Sequence, residues 1–285
     1  MNAFYSELVK QPPVGIPGIP PHLNHPEQVT QFGQTVLWVG FAGMSVGVLA
    51  LFATTFRAQY RYRLLHVAAL LVNIFAAISY YAMASGVGKV LVHSPGHHST
   101  VREVFYARYI DWAFTTPLLL LDLTLVAGLP AGEIAIAIIA DIVMIVTGAI
   151  GALHPSLKYR WGFFTFSMLA FVYVLWSLVG SARSSAFLRH PKVGKMYNGI
   201  SLALIVLWSA YPVVWVLGEG LGRVTADTEV LLYAVLDLSA KPVWGLALLL
   251  AMPDEGHVLL PEWMAAPGGA LSGGGYGSVP SGNDA

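Results

Sequence analysis

The sequence predicts an all-α membrane protein built as a seven-helix bundle, and its composition and hydropathy pattern support this fold class. The chain of 285 residues is 56% hydrophobic and only 11% charged, with a mean hydropathy of +0.66. Soluble domains carry about 25% charged residues, so we expect most of this surface to face lipid. Seven stretches are long and apolar enough to cross a bilayer, which takes about 20 residues per helix.

The seven predicted spans fill nearly all of the chain between two polar ends. They cover residues 32–55, 64–84, 104–127, 133–153, 162–181, 197–218 and 230–252. Polar or Gly/Pro-containing breaks separate them, at 57–63, 86–100, 128–132, 154–160, 182–195 and 219–228. We therefore expect one domain over 31–252. A Pro-rich extracellular segment (1–30) should precede it, and a disordered, Gly/Ser-rich cytoplasmic tail (253–285) should follow it.

Basic residues in the short loops predict the orientation. The first and fifth breaks, which fall on the same side of seven spans, hold Arg57, Arg61, Arg63, Arg183, Arg189, Lys192 and Lys195. The opposite loops hold Lys89, Arg102, Lys158, Arg160 and Arg223. Cytosolic loops are enriched in Lys and Arg. The tighter clustering favours an extracellular N-terminus and a cytosolic C-terminus, and we expect the plasma membrane.

The third span carries charged residues on one face. At about 100° per residue, Arg108, Asp111, Thr115 and Asp122 point the same way. An ionisable side chain at the centre of a membrane helix costs about 2.5–3.5 kcal/mol, so such residues are functional by default. Asp111 and Asp122 lie roughly 16 Å apart along the axis. That is too far for an acid/base pair on one substrate but suits two stations on a proton path.

The seventh span adds Asp237 and Lys241, an i, i+4 pair that faces one way. Asp111 and Asp237 then compete for the positive charge of Lys241, and Arg108 supplies a second cation, so the four charges sum to zero. A neutral cluster that only ties helices together is one interpretation. A buried lysine also forms imines, which suggests an aldehyde cofactor that these residues do not identify.

The sixth span carries aromatic residues at helical spacing: Trp208, Tyr211 and Trp215, with Pro212 among them. Trp112 stands beside Asp111 in the third span. Flat aromatic walls suit a flat, conjugated ligand, and their polar tips can bond buried carboxylates. An ordinary aromatic core stripe would give the same spacing.

Three motifs together resemble the microbial rhodopsins. They are Leu-Asp-Leu-Ser-Ala-Lys over 236–241, Arg-Tyr-Ile-Asp-Trp from 108 through Thr-Thr-Pro to Asp122, and Trp-Ser-Ala-Tyr-Pro from 208 to Trp215. The resemblance covers all seven spans and is to the bacteriorhodopsin-like proton pumps, in the style of their fungal and other eukaryotic members. It implies a bundle with an interior retinal pocket, in which all-trans retinal is bound to Lys241 as a protonated Schiff base.

The resemblance also implies roles along a proton path. Asp111 would be the primary counter-ion and proton acceptor, Asp237 the second counter-ion, and Asp122 the cytosolic proton donor. The remaining predicted path residues are Arg108 and Thr115 on the third span, Tyr80 near the counter-ions, and the extracellular release pair Glu219 and Glu229. Tyr81 is a competing alignment for Tyr80.

A further set is implied to surround the retinal. It consists of Trp112, Thr116, Leu119, Met144, Gly148, Ser167, Phe171, Trp208, Tyr211, Pro212 and Trp215. Asp141 shares a face with Met144 and Gly148, and Leu119 suggests green absorption. Phe164 and Phe171 stand where relatives often have Trp and Met, and Asn73 stands where archaeal members have proline.

The resemblance favours a light-driven outward proton pump, a transporter rather than an enzyme. A sensory rhodopsin is the alternative, since it would share Lys241 and Asp111. Asp122 favours the pump because sensors commonly lack a carboxylate donor. The expected partners are the lipid bilayer and protons, with a homo-oligomer left open. Zero net charge argues against nucleic acid. No metal site is expected, because His93, His97 and His98 lack acidic or Cys partners.

Overall fold

The computed structural model describes residues 26–58, 62–94 and 101–252, which form a bundle of seven long helices. These are α1 (Gln31–Arg57), α2 (Arg63–Ala84), α3 (Tyr106–Ala127), α4 (Ala131–Leu153), α5 (Leu157–Arg189), α6 (Pro191–Gly220) and α7 (Ala226–Ala251). Each is long and apolar enough to cross a membrane, so the predicted fold class is confirmed. The predicted tail and nearly all of the predicted N-terminal segment lie outside the described residues.

The bundle has an apolar outside and a partly polar inside. On α1, Val46 is 65% exposed and Leu49 is 68% exposed, and similar large apolar side chains cover the other helices. Aspartates of α3, α4 and α7 lie instead at the centre of the bundle and are buried. A soluble protein would not expose so much apolar surface, so this is an integral membrane protein.

Helix α1 closes the bundle by packing against both α2 and α7. Glycines allow the close approach: Gly40 lies against the ring of Tyr80, and Gly47 lies against Pro242 and Asn73. A Cβ atom at either glycine would overlap these neighbours. Small residues at helix contacts are the usual means of tight packing in membranes.

Three π-helical turns interrupt the regular helices. They are Leu178–Ala182 in α5, Val216–Gly220 in α6 and Ser239–Val243 in α7. The last contains Lys241, followed by Pro242, which has no N–H to donate to the helix. π-Helical turns are frequent at functional sites, and here two of them carry predicted site residues, Glu219 and Lys241.

The break predicted at 86–100 is partly β-structure. Strand β1 (Val90–His93) pairs antiparallel with β2 (Val101–Val104), with Val90 opposite Val104. Val104 was predicted to belong to the third span, but it ends β2, and α3 begins at Tyr106. Hydropathy cannot separate an apolar strand residue from the helix that follows it.

The break predicted at 182–195 was wrong, because the chain is helical there except at His190. Helix α5 runs on to Arg189, His190 is extended, and Pro191 starts α6, where a missing N–H costs nothing. The predicted spans 162–181 and 197–218 were therefore too short. Hydropathy measures the thickness of the lipid core, whereas polar helix ends extend beyond it.

Candidate functional site

Lys241 lies at the centre of the bundle with two carboxylates around its nitrogen. Its side chain is 2% exposed. The Nζ atom donates to Asp237 Oδ1 at 2.9 Å, one turn away on α7, and to Asp111 Oδ2 on α3. A buried charge must be paired, and here a single cation faces two anions.

Asp237 is the more strongly held of the two carboxylates. Besides Lys241, it accepts hydrogen bonds from Tyr80 Oη at 2.8 Å, Tyr211 Oη at 2.9 Å and Trp112 Nε1 at 3.3 Å. The structure thus distinguishes the two tyrosine alignments on α2. Tyr80 is buried and reaches Asp237, whereas Tyr81 is 53% exposed on the outside.

Asp111 has far fewer partners. Its Oδ2 atom contacts Lys241, and among the residues that the structure describes its Oδ1 atom has no hydrogen-bond partner. Thr115, predicted to belong to the same path, donates to the main-chain oxygen of Asp111 at 2.9 Å and leaves the carboxylate untouched. Lys241 is therefore the one hydrogen-bond partner of the Asp111 carboxylate among the described residues, whereas Asp237 has three further donors.

A cavity begins at Lys241 and runs between the helices. All of the residues predicted to surround a cofactor line it: Trp112, Thr116, Leu119, Met144, Gly148, Ser167, Phe171, Trp208, Tyr211, Pro212, Trp215 and Lys241 itself. Six further lining residues were not in the predicted set: Tyr109, Ile145, Phe164, Met168, Tyr233 and Ala240.

Contacts between aromatic rings join neighbouring helices along the cavity wall. Trp112 meets Tyr211 edge-on, with 5.2 Å between ring centroids, and Phe164 stacks on Trp215 at 4.5 Å. Ser167 donates to the main-chain oxygen of Met144 at 2.8 Å, which joins α5 to α4 beside the cavity. Phe164 and Phe171, which depart from the family pattern on the fifth span, are thus part of the wall.

Asp141 on α4 is a buried carboxyl group with a different kind of neighbour. Thr116 Oγ1 donates to its Oδ2 atom at 2.7 Å and also to the main-chain oxygen of Trp112 at 2.8 Å. Asp141 is fully buried, and this bond links α4 to α3 at the cavity wall.

Asp122 is separate from the Lys241 cluster. It is fully buried on α3, and neither carboxyl oxygen has a hydrogen-bond partner among the described residues. Its neighbours on α3, Leu120 and Leu123, are buried apolar side chains. Three turns of helix lie between Asp122 and Asp111, roughly 16 Å along the axis.

Glu219 and Glu229 lie at the end of the interior opposite to Asp122, and their side chains contact different partners. Arg108 Nη1 contacts Glu229 Oε1 at 3.3 Å. Glu219 instead accepts from Tyr109 Oη at 3.1 Å and Tyr233 Oη at 3.4 Å. The structure brings both glutamates to this end, but it contains no direct hydrogen bond between them.

Sequence reasoning missed three residues of this network: Tyr109, Tyr233 and Arg102. Tyr233 had a signal, because it lies one helical turn after Glu229 and one turn before Asp237. Arg102 had none. It approaches Glu229 at 2.7 Å only because β2 folds over the end of the bundle.

Comparison with known proteins agrees with this geometry. The family model described as "Bacteriorhodopsin-like protein" matches residues 31–254. Opsin-1 of Neurospora crassa is 35% identical over 268 residues, which is 88% of either chain.

Solved structures give the same result. The light-driven proton pump of Coccomyxa subellipsoidea is 39% identical, with a TM-score of 0.76 over 80% of this chain and 100% of that one. The light-driven proton pump of Leptosphaeria maculans is 38% identical, with a TM-score of 0.73 over 79% and 97%. Halorhodopsin, a light-driven chloride pump, is 32% identical, with a TM-score of 0.73 over 77% and 94%. The chain therefore belongs to the bacteriorhodopsin-like family of microbial rhodopsins, retinal-binding membrane proteins that include light-driven ion pumps.

Proposed function

We propose that this protein is a light-driven outward proton pump that carries retinal on Lys241. The observation that carries the proposal is the unequal pair of carboxylates at Lys241: Asp237 accepts bonds from a lysine and three neutral donors, and Asp111 accepts from the lysine alone.

The cavity suits retinal chemically. A primary amine that can bond an aldehyde stands at one end, and the walls are aromatic and apolar, as a flat conjugated chain requires. Two carboxylates beside Nζ would balance a positive nitrogen there. When bound, retinal would supply a light-driven change of shape and a nitrogen that can give up a proton. We propose the all-trans isomer.

Asp111 is the proton acceptor in this proposal. Hydrogen bonds to a carboxylate favour its ionised form. Because Asp237 keeps three of them without Lys241, it stays charged when the nitrogen loses its positive charge. Asp111 then has no partner left on either oxygen, and protonation removes a buried, unpaired charge.

Asp122 is the donor that returns a proton to the nitrogen. An isolated buried carboxylate is far costlier than its neutral form. Because no side chain in the described structure compensates Asp122, we expect it to hold a proton at rest. A neutral acid on the far side of Lys241 from Glu219 and Glu229 gives the transfer its direction.

We propose that the end of the bundle that carries the antiparallel pair β1–β2, called the hairpin below, is extracellular and that the plasma membrane is the location. Basic residues support this orientation. Arg183, Arg189, Lys192 and Lys195 cluster around the α5–α6 junction, at the opposite end from the hairpin. Cytosolic ends of membrane helices carry the excess of Lys and Arg.

Chloride pumping is the function that the halorhodopsin match raises. A chloride ion bound at Lys241 would have to occupy the position where Asp111 lies. A second carboxylate, that of Asp237, already lies 2.9 Å from the Nζ atom of Lys241. Two negative groups at this point oppose a third, so the geometry favours protons. A sensory role remains the alternative within the family, and it is distinguished by the absence of transport.

The test is a light-dependent pH change in intact cells or in vesicles of known orientation. Retinal-loaded protein should acidify the medium around cells, and an uncoupler should abolish the change. Replacing chloride with sulfate should leave the signal intact. A coloured protein that gives no pH change would contradict the pump and favour the sensor. A signal that needs chloride would favour the anion pump.

A further inference from the structure

Asn73 is a buried amide at the junction of α1, α2 and α7. It lies on α2 and is fully buried. Its Nδ2 atom donates to the main-chain oxygen of Ala69 at 3.0 Å, within the same helix. Its Oδ1 atom has no hydrogen-bond partner among the residues that the structure describes. A buried carbonyl oxygen without a partner destabilises a folded protein, whereas an apolar side chain of the same size would not carry that cost.

The unpaired oxygen of Asn73 lies beside the turn of α7 that carries Lys241. A Cβ atom on Gly47 of α1 would lie 2.7 Å from Asn73 Oδ1 and 2.6 Å from Pro242 Cβ, so the amide and the proline are neighbours across that glycine. Pro242 directly follows Lys241 in the π-helical turn Ser239–Val243. It has no main-chain N–H, so it leaves the amide oxygen without a donor.

Along the bundle, Asn73 lies at a depth between Lys241 and Asp122. It stands seven residues before Tyr80 on the same face of α2, which is roughly 10 Å along the axis. Tyr80 bonds a carboxylate beside Lys241 at 2.8 Å and so marks the level of the lysine nitrogen. Asp122 lies roughly 16 Å from Asp111 in the same direction, because α2 and α3 run antiparallel.

Apolar side chains separate Asp122 from Lys241. Leu119 lies between them on α3, and Trp244 lies one turn beyond Lys241 on α7. Both are buried in one apolar cluster. A proton donor must lie within hydrogen-bond reach of its acceptor or connect to it through water. Transfer over this distance therefore needs water, and water inside a protein needs polar groups to hold it.

We propose that Asn73 is a positioning residue for the return of the proton, and that its amide oxygen holds water on the route from Asp122 to Lys241. This inference rests on the proposed pump function. Each water gives one proton towards the nitrogen and receives one from the side of Asp122, so only the proton has moved. An amide suits this role because its oxygen accepts a hydrogen bond from water and does not ionise, so it does not trap the proton.

Infrared difference spectroscopy under illumination tests the amide directly. A carbonyl that gains a hydrogen bond absorbs at lower frequency. The unmodified protein should therefore show a downward shift of one amide C=O band while the nitrogen of Lys241 lacks its proton. This band pair should vanish in Asn73→Leu. Its absence from the unmodified protein, or its persistence in Asn73→Leu, would overturn the proposal.

Asn198→Leu is the matched control for the infrared experiment. Asn198 Oδ1 accepts from Arg183 Nε at 2.9 Å at the junction of α5 and α6, so this amide already has a donor. The band pair should persist in Asn198→Leu. If it vanished there and not in Asn73→Leu, the responding amide would be Asn198 and the assignment to Asn73 would be wrong.

The rate of proton return tests the consequence for the pump. A positioned donor is worth about 10²–10⁴-fold in rate, so loss of a residue that only holds its water should slow the return by about tenfold. Flash photolysis of Asn73→Leu measures this. Asn73→Ser should recover most of the rate, because a hydroxyl also accepts from water. An unchanged rate in Asn73→Leu, or no recovery with serine, would contradict the role.

Thermal unfolding of the retinal-bound protein, followed by circular dichroism, separates this role from packing. Leucine removes a buried oxygen without a partner, so the unfolding temperature of Asn73→Leu should stay the same or rise. A residue kept only for packing predicts a lower unfolding temperature with an unchanged rate of proton return, and that result would overturn the proposal. If both quantities fell, the amide band of the unmodified protein would decide between the two roles.

These outcomes are separable from failure of the proposed function. If the unmodified, coloured protein moves no protons, the pump proposal itself is wrong. If it pumps normally and no amide band follows Asn73, only the role of Asn73 is wrong.

Discussion

The two halves of the interior on either side of Lys241 are built on opposite principles. Towards the hairpin, Arg102, Arg108, Glu219 and Glu229 form a nearly continuous network with the tyrosines. On the other side, Asp122 has no partner at either oxygen among the described residues. In the proposed pump, small changes of hydrogen bonding would pass a proton along the first half, whereas the second half presents an apolar barrier.

In the proposed pump, this difference would let one lysine separate two proton paths. In the apolar half, two other buried polar side chains make hydrogen bonds within their own helix. His66 Nδ1 lies 3.1 Å from the main-chain oxygen of Tyr62, and Asn73 Nδ2 donates to that of Ala69 at 3.0 Å. A pump needs one side open and the other closed at rest, and an uncompensated acid within apolar packing suits the closed side.

The largest expected effect comes from replacing Lys241, which lies between the two halves. Lys241→Ala should abolish covalent attachment of retinal, because no other amine lines the cavity among the described residues. Purified protein mixed with all-trans retinal should show no visible absorption band. Val243→Ala, on the same π-helical turn but 64% exposed to the outside, is the control and should colour normally. A stable visible band in Lys241→Ala would contradict the attachment site.

The next effect separates the two carboxylates at Lys241. Asp111→Asn should abolish proton transport, since an amide cannot accept the proton, and should shift absorption to the red through loss of a negative charge. Light-driven acidification and the visible spectrum measure both. Asp227→Asn serves as a control, because Asp227 lies in the first turn of α7 and accepts hydrogen bonds from Thr30, away from the Lys241 carboxylates. Persistent acidification in Asp111→Asn would show that another group accepts the proton.

A slower photocycle should follow from replacing Asp122 in the apolar half. Asp122→Asn removes the nearby donor, and a positioned acid is worth about 10²–10⁴-fold in rate, so recovery should slow by at least about 100-fold. The proton must then come from the bulk, so each unit of higher pH should slow recovery by about tenfold. Flash photolysis over a pH series measures this, with the exposed Glu133→Gln as the control. Recovery that stays fast and independent of pH would exclude Asp122 as donor.

The sequence predicted the fold well, because a membrane helix is a local pattern that needs only length and apolarity. It also predicted that the charged stripes of α3 and α7 face one interior, since helical periodicity determines which residues share a face. Asp111, Asp237 and Lys241 do meet there. The hairpin and the ends of α5 and α6 were not predicted correctly, because hydropathy measures lipid contact and not backbone conformation.

The hydrogen-bond partners of the site residues could not be predicted from the sequence in the same way. Nothing in the spacing of the two residues predicts that Asp237 accepts four hydrogen bonds and Asp111 accepts a single one. That difference arises from side chains of α2, α3 and α6 that converge in space. Arg102 lies in a strand whose position depends on tertiary packing, so no helical period could have placed it beside Glu229.

The smallest expected effect concerns Asp141, a buried carboxyl like Asp122 but with a neighbour that bonds it. Thr116→Val would remove the one hydrogen bond to Asp141, whose other oxygen has no partner in the described structure. A buried polar group left without a partner costs about 1–3 kcal/mol, so the free energy of unfolding should fall by that amount. Thr116→Ser retains the hydroxyl and should lose much less.

Thermal loss of the visible band measures this difference in detergent or lipid. Proton transport per photon should survive in Thr116→Val, because Asp141 is not on the proposed path between Asp122, Lys241 and Glu219. If Thr116→Val instead stopped transport while remaining folded and coloured, a carboxyl group with a hydrogen-bond partner would matter as much as one without. The distinction between the two halves would then rest on position alone and not on hydrogen bonding.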